Sequence, residues 1–184
     1  MVAVIVVIVI AALLLLLLIL GFNSLVRKRN KTDNAWAQVD VQLTKRHDLI
    51  PNVVETVKGY AAHERQTFEA VTQARAAAMS TQGPAARAGA EDALSAALGR
   101  LMVVAENYPQ LKASDNFLNL QEQLSSVESG IAYARQYYND SVLSYENARK
   151  QFPLMLIAGP FGFQQREYFK AAAGTTEPVQ VSLS

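Results

Sequence analysis

WAQVDVQLTKRHDLIPNVVETVKGYAAHE, residues 36–64, is the stretch that decides the fold. Counting in steps of three and four gives Trp36, Asp40, Leu43, His47, Ile50, Val54, Val57, Ala61 and Glu64, and the count runs on through Phe68, Val71 and Arg75. That spacing marks one face of an α-helix. A second apolar row, Val39, Ile50, Val53, Val57 and Tyr60, lies beside the first, so the buried face is wide, as in a bundle helix. Pro51 falls in the middle without disturbing the register. It removes the amide that would bond the His47 carbonyl and disfavours helical geometry at Ile50. The intact register predicts a kink; a wide bend would instead give two helices, about 33–49 and 52–80. Gly59 is a further weak point, about 1 kcal/mol less favourable than alanine, and Thr32-Asp33 offers an N-cap.

Upstream, Val2 to Phe22 contains no charged residue and no polar side chain. Its 21 residues reach about 31 Å as a helix, one hydrocarbon thickness. A cleaved signal peptide would have a basic leader, a shorter apolar core and a small-x-small site. GFNSLV offers no such site, so residues 1–22 read as a retained transmembrane anchor. Arg27, Lys28, Arg29 and Lys31 come at once after it, in a juxtamembrane linker, 23–32. The positive-inside rule places the C-terminal side of the anchor in the cytoplasm and the N-terminus outside, with a periplasmic or extracellular body as the alternative. The same four cations are candidates for contact with anionic headgroups.

Downstream, Gln82-Gly83-Pro84 is a turn, with Pro84 suited to a first helical position. Leu94, Leu98, Leu101, Ala105 and Tyr108 mark a second helix. Phe117, Leu120, Leu124, Val127, Ile131, Ala134, Tyr138, Val142 and Tyr145 mark a third, which Phe152-Pro153 closes. The predicted class is all-α: a transmembrane helix followed by an elongated antiparallel helical bundle, 33–152, of three long helices, or four if the first breaks at Pro51. The second helix is too short to cover both partners, which points to a homo-oligomer. The apolar segment 153–170 includes Leu154, Leu156, Ile157, Phe161 and Phe163, candidates for an interface with the bundle, the bilayer or a neighbouring subunit. Residues 171–184 read as a flexible tail.

The chain has no cysteine, and its net charge of +1 argues against a nucleic-acid surface. His47 and His63 lie about 24 Å apart on one straight helix and cannot share a metal. His63-Glu64 begins like a zinc-protease helix, but Thr67 stands where the second histidine belongs. No nucleophile elbow, Walker loop or dinucleotide fingerprint is present. No enzyme, metal or cofactor is expected. The polar members of the first seam, Asp40, His47, Glu64 and Arg75, are expected to pair with polar groups on facing helices.

Residues 36–64 strongly resemble the signature of the LemA family of bacterial membrane-anchored proteins. The resemblance continues through VTQARAAA, YPQLKASDNFLNLQEQLSSVESGIAYARQYYNDSV and FPLMLIAGPFGFQQREYF. It implies a membrane-anchored helical bundle and a scaffold or adaptor role, and it carries no catalytic residues. Gly130 and Glu146 depart from the family pattern, where a larger polar residue and an asparagine are usual. A self-associating membrane scaffold is the leading expectation. The alternative is an adaptor or regulator for a membrane-associated protease or sensor.

Overall fold

The computed structural model describes residues 1–170, and all six elements among them are helices. They are α1 (Val2–Lys58), α2 (Arg65–Ser80), α3 (Pro84–Glu106), α4 (Pro109–Lys112), α5 (Asp115–Lys150) and α6 (Met155–Ala158). The tail expected at 171–184 lies outside the described residues. The all-α architecture with a long apolar leading helix is as the sequence predicts. The boundaries of the first bundle helix are not.

α1 runs unbroken through the basic cluster, through Thr32-Asp33 and through Pro51. Thr32 is no cap: its hydroxyl donates back to the Lys28 carbonyl, four residues earlier. The interruption comes instead at Gly59–Glu64, where the Val57 carbonyl accepts the amides of both Tyr60 and Ala61. A helix continued from His47 to Arg75 would separate them by about 42 Å. The Arg75 Nε–H in fact donates to the His47 carbonyl at 2.7 Å, so α2 has turned back along α1. The fourth long helix therefore exists, and it arises from the Gly59 weak point rather than from Pro51.

The residues expected to form one bundle fall into two compact units, with boundaries inside α1 at Asp40 and inside α5 at Tyr133. One unit comprises Met1–Asp40 and Tyr133–Arg166; the other holds Val41–Ala132 together with residues 167–170. In the second, four helical segments alternate in direction. Gly83, at φ 85°, makes the turn into α3, and Pro84 occupies its first turn as predicted. The core joins Ile50, Val53 and Val57 of α1 to Phe68 and Val71 of α2, Leu94, Leu98 and Leu101 of α3, and Phe117 and Leu120 of α5. Both rows read from 36–64 contribute here: His47 and Ala61 from the first, Val53 from the second, Ile50 and Val57 from both. Tyr60, at the break, is exposed.

In the first unit the start of α1 pairs with the end of α5. Leu25, Thr32, Ala35 and Val39 are buried, as are Tyr138, Val142 and Tyr145. Trp36 packs on Tyr138 with ring centroids 5.2 Å apart. The apolar span is unlike the rest of α1: none of its most apolar window is buried, and Ile5, Leu13 and Leu14 are all more than half exposed.

Gly130 yields a prediction. A Cβ built there would lie 2.9 Å from Gln42 Oε1, the mobile end of a flexible side chain. Gly130→Ala is expected to raise stability by up to about 1 kcal/mol through helix propensity, with Gln42 swinging aside. Urea unfolding of the detergent-solubilised protein measures this; a loss of stability would show that Gln42 is fixed.

Candidate functional site

Two constellations contain the side chains singled out above. The first is a buried polar cluster in the four-helix unit. His47 and Arg75 meet there, joined by two residues outside the predicted set, Arg46 and Glu91. The side chains of Arg46 and Glu91 are each 3% exposed, and Arg46 Nη1 lies 3.2 Å from Glu91 Oε2. Arg46 Nη2 donates to the Ser95 hydroxyl at 2.7 Å. Its Nε is 3.0 Å from Glu128 Oε1, close enough for an ion pair but not aligned as a hydrogen bond. Glu128 is half exposed, so Glu91 is the partner that meets Arg46 away from water.

The second oxygen of Glu91 lies 2.8 Å from His47 Nε2. An ionised carboxylate paired with arginine can only accept, so His47 places its proton on Nε2 and donates. Arg75 then closes the arrangement through the His47 carbonyl. That carbonyl is the one Pro51 leaves without an amide donor. An arginine from the neighbouring helix thus supplies the hydrogen bond that proline removes, and α1 continues past Pro51 without opening.

Both new members were detectable. Between Val39 and Ile50 the second row has a gap; with Leu43 of the first row, Arg46 fills it to give Val39, Leu43, Arg46, Ile50, Val53, Val57, and Glu91 extends the α3 row as Ala88, Glu91, Leu94, Leu98, Leu101. A charge in register with buried apolar residues is the signal. Glu64 is not part of the cluster: it sits at the start of α2, where its carbonyl accepts the amides of Thr67 and Phe68. Asp40 is half-buried and belongs to the other unit.

The second constellation is the base of the membrane-proximal helix pair. Lys28 Nζ donates to the Ser144 hydroxyl at 2.6 Å. Arg29 lies over the Phe163 ring at 5.5 Å and Lys31 over the Tyr137 ring at 5.4 Å. Arg27 is exposed. Leu25, Tyr145, Ala148, Ala158 and Phe163 form a closed apolar cluster, with Phe22, Val26 and Leu154 against it. Residues 164–166 are stitched to the helices. The Gln164 carbonyl accepts from the Tyr145 hydroxyl at 2.9 Å, the Arg166 amide donates to Glu146 at 3.0 Å, and the Arg166 guanidinium meets Asp33 at 2.7 Å. Glu146, the departure from the family pattern, is buried and also pairs with Arg149 at 2.8 Å. Leu154 and Phe163 therefore point inward. Leu156 and Phe161 are each 61% exposed.

Burial pushes the Tyr145 phenol above its ordinary value of 10.0; Arg166 opposes the rise and Glu146 reinforces it. The folded chain thus favours the neutral phenol, whose hydrogen bond to Gln164 needs the proton. This stabilisation is complete below pH 10 and is lost as pH rises through the higher folded value. Tyr145→Phe is expected to lower stability at neutral pH by about 1 kcal/mol and to flatten the alkaline fall. An unchanged alkaline limb, followed by tryptophan fluorescence, would contradict this.

Among the described residues no group of three or more His, Asp and Glu side chains is placed to hold a metal ion, and one helix, α1, is long and apolar enough to cross a membrane. The family model for the LemA family matches residues 35–183. Magnetosome protein MamQ 2 of Paramagnetospirillum magneticum is 25% identical, with 88% of this chain and 69% of that protein covered. Magnetosome protein MamQ of Magnetospirillum gryphiswaldense is 24% identical at the same coverage. Protein LemA of Metamycoplasma hominis is 22% identical over 82% of this chain and 69% of its own length. None of these names denotes an enzyme. A helix long and apolar enough to cross a membrane, a body of helices among the described residues and a family match covering most of the chain lead to one conclusion: this membrane-associated protein belongs to the LemA family.

Proposed function

We propose that the protein is a non-enzymatic membrane scaffold whose copies associate side by side. Its single span sits in the bacterial inner membrane, and its body lies on the cytoplasmic side. The observation that carries this reading is the passage of α1 from span to body without a linker. Fully buried residues begin at Leu25, three positions after Phe22 closes the apolar run. A helix with no hinge at this point fixes the paired parts of α1 and α5 in one orientation to the span. That suits a protein whose task is position.

Self-association is supported by the membrane-proximal unit, in which each helix of the pair has one covered side. Tyr133 and Leu143 are 75% and 50% exposed on the uncovered side of α5. The relatives named as magnetosome proteins are in keeping with a structural role at a membrane. Arg27, Lys28, Arg29 and Lys31 favour the cytoplasmic side.

Because the chain lacks cysteine, single thiols at Tyr133→Cys or Leu143→Cys report neighbours directly. Oxidation in native membranes is expected to yield adducts of twice the subunit mass. Adducts with one foreign protein would favour the second reading, an adaptor for a membrane protease or sensor. That reading has its own support in an open groove of about 610 Å³ in the four-helix unit, lined by Lys45, Asp48, Leu49, Asn52, Glu122 and Gln123 among others. Protease accessibility in intact and lysed cells tests the side.

A further inference from the structure

We infer that the segment Phe152–Phe163 is a second membrane-inserted element, lying in the leaflet beside the span with Phe152, Met155, Leu156 and Phe161 against lipid acyl chains. This rests on the reading of Val2–Phe22 as membrane-spanning and deepens it.

The argument is one of depth. Leu154 packs against α1 at Gly21, filling the space a Cβ there would need. The Phe161 ring stands 5.4 Å from that of Phe22, edge to face. Ile157 and Phe161 share a groove of about 300 Å³ with Leu15, Leu18, Ile19 and Phe22, every one of them apolar. Leu154, Ile157 and Phe161 therefore lie at the level of residues 15–22 of the span, and Phe163 ends the segment between Phe22 and Arg29. Residues 15–22 belong to the stretch read as spanning, Val2–Phe22, whose 21 residues make about 31 Å of helix against about 30 Å of hydrocarbon, so their level lies within the hydrocarbon. With the span in place, the segment is in the membrane too.

Its chemistry fits that depth. No charged residue occurs from Gln151 to Gln165, while Arg149 and Lys150 precede this stretch and Arg166 comes after it. The side chains that close the cluster, Ala158 and Phe163, are 3% exposed, whereas Phe152, Met155 and Leu156 are 78%, 55% and 61% exposed. Phe161, also exposed, shares its groove with the exposed Leu15 and Ile19 of the span, whose surroundings are lipid. An apolar surface flanked by cations at headgroup level is the pattern of an interfacial insertion.

The test uses full-length protein in vesicles of phosphatidylcholine and phosphatidylglycerol, with one thiol-linked fluorophore per variant. Met155→Cys and Leu156→Cys probe the segment, Leu14→Cys the span, and Leu118→Cys an exposed position in the other unit. A nitroxide on the lipid acyl chain is expected to quench Met155→Cys and Leu156→Cys as strongly as Leu14→Cys, with aqueous iodide quenching only Leu118→Cys. Iodide quenching of 155 and 156, with Leu14→Cys still quenched by lipid, overturns the inference and leaves the anchor intact. Protection of 155 and 156 from both quenchers means that protein, such as a second copy, covers the surface, and overturns it equally. If Leu14→Cys is itself reached only by iodide, the membrane-spanning reading fails and the inference falls with it.

Discussion

Glu91→Leu is expected to destabilise the protein by about 3–5 kcal/mol, the loss incurred when one partner of a buried ion pair is removed. Arg46 would keep only the half-exposed Glu128 and the Ser95 hydroxyl, and His47 would lose the acceptor for its Nε2 proton. The double substitution Arg46→Met with Glu91→Leu removes both charges together and is expected to recover about 2 kcal/mol of the loss. The remainder, about 1–3 kcal/mol, belongs to the His47 N–H left without a partner. Urea unfolding of the solubilised protein, followed by circular dichroism, measures all three. A double variant as unstable as Glu91→Leu would mean that cavity formation, not charge burial, sets the loss.

The second large effect concerns Pro51. Arg75→Met keeps much of the arginine stem but withdraws the donor from the His47 carbonyl, at an expected loss of about 1–3 kcal/mol. Pro51→Ala restores the amide that would ordinarily bond that carbonyl. In the Pro51→Ala background the Arg75→Met loss is therefore expected to shrink by more than half. Contacting residues that share one acceptor should show such non-additivity. Equal losses in both backgrounds would show that Arg75 stabilises the protein by another route.

The sequence carried much of this architecture. The row from Phe117 to Tyr145 was legible because an unbroken helix that buries the same face along its length imposes a strict repeat, and every member but the half-buried Val127 is buried. The turn at Gly59–Glu64 was not, because the apolar register runs through it. Ala61, Phe68 and Val71 keep their spacing although the chain reverses. Register alone cannot distinguish a helix that continues from one that folds back onto the same core. Pro51 is the obvious breaker in the sequence, and the compensating donor lies 28 residues away, beyond any local pattern.

For the candidate site the outcome is similar. His47 and Arg75 stand out as polar members of the first seam, whereas Arg46 reads as a charge on an exposed face. Its slot between Leu43 and Ile50 in the second row, and that of Glu91 ahead of Leu94, were readable, but pairing across 45 residues was not. The apolar C-terminal segment was visible as a segment. Its division into inward Phe163 and outward Leu156 depends on packing against Phe22 and Leu25, which periodicity over so few residues does not encode.

The central claim, a membrane scaffold built from several copies, is tested most directly by the mass of the full-length protein extracted from native membranes with its surrounding lipid. The account predicts a discrete multiple of the 20.1 kDa chain that persists on dilution. A single chain at every concentration would contradict it.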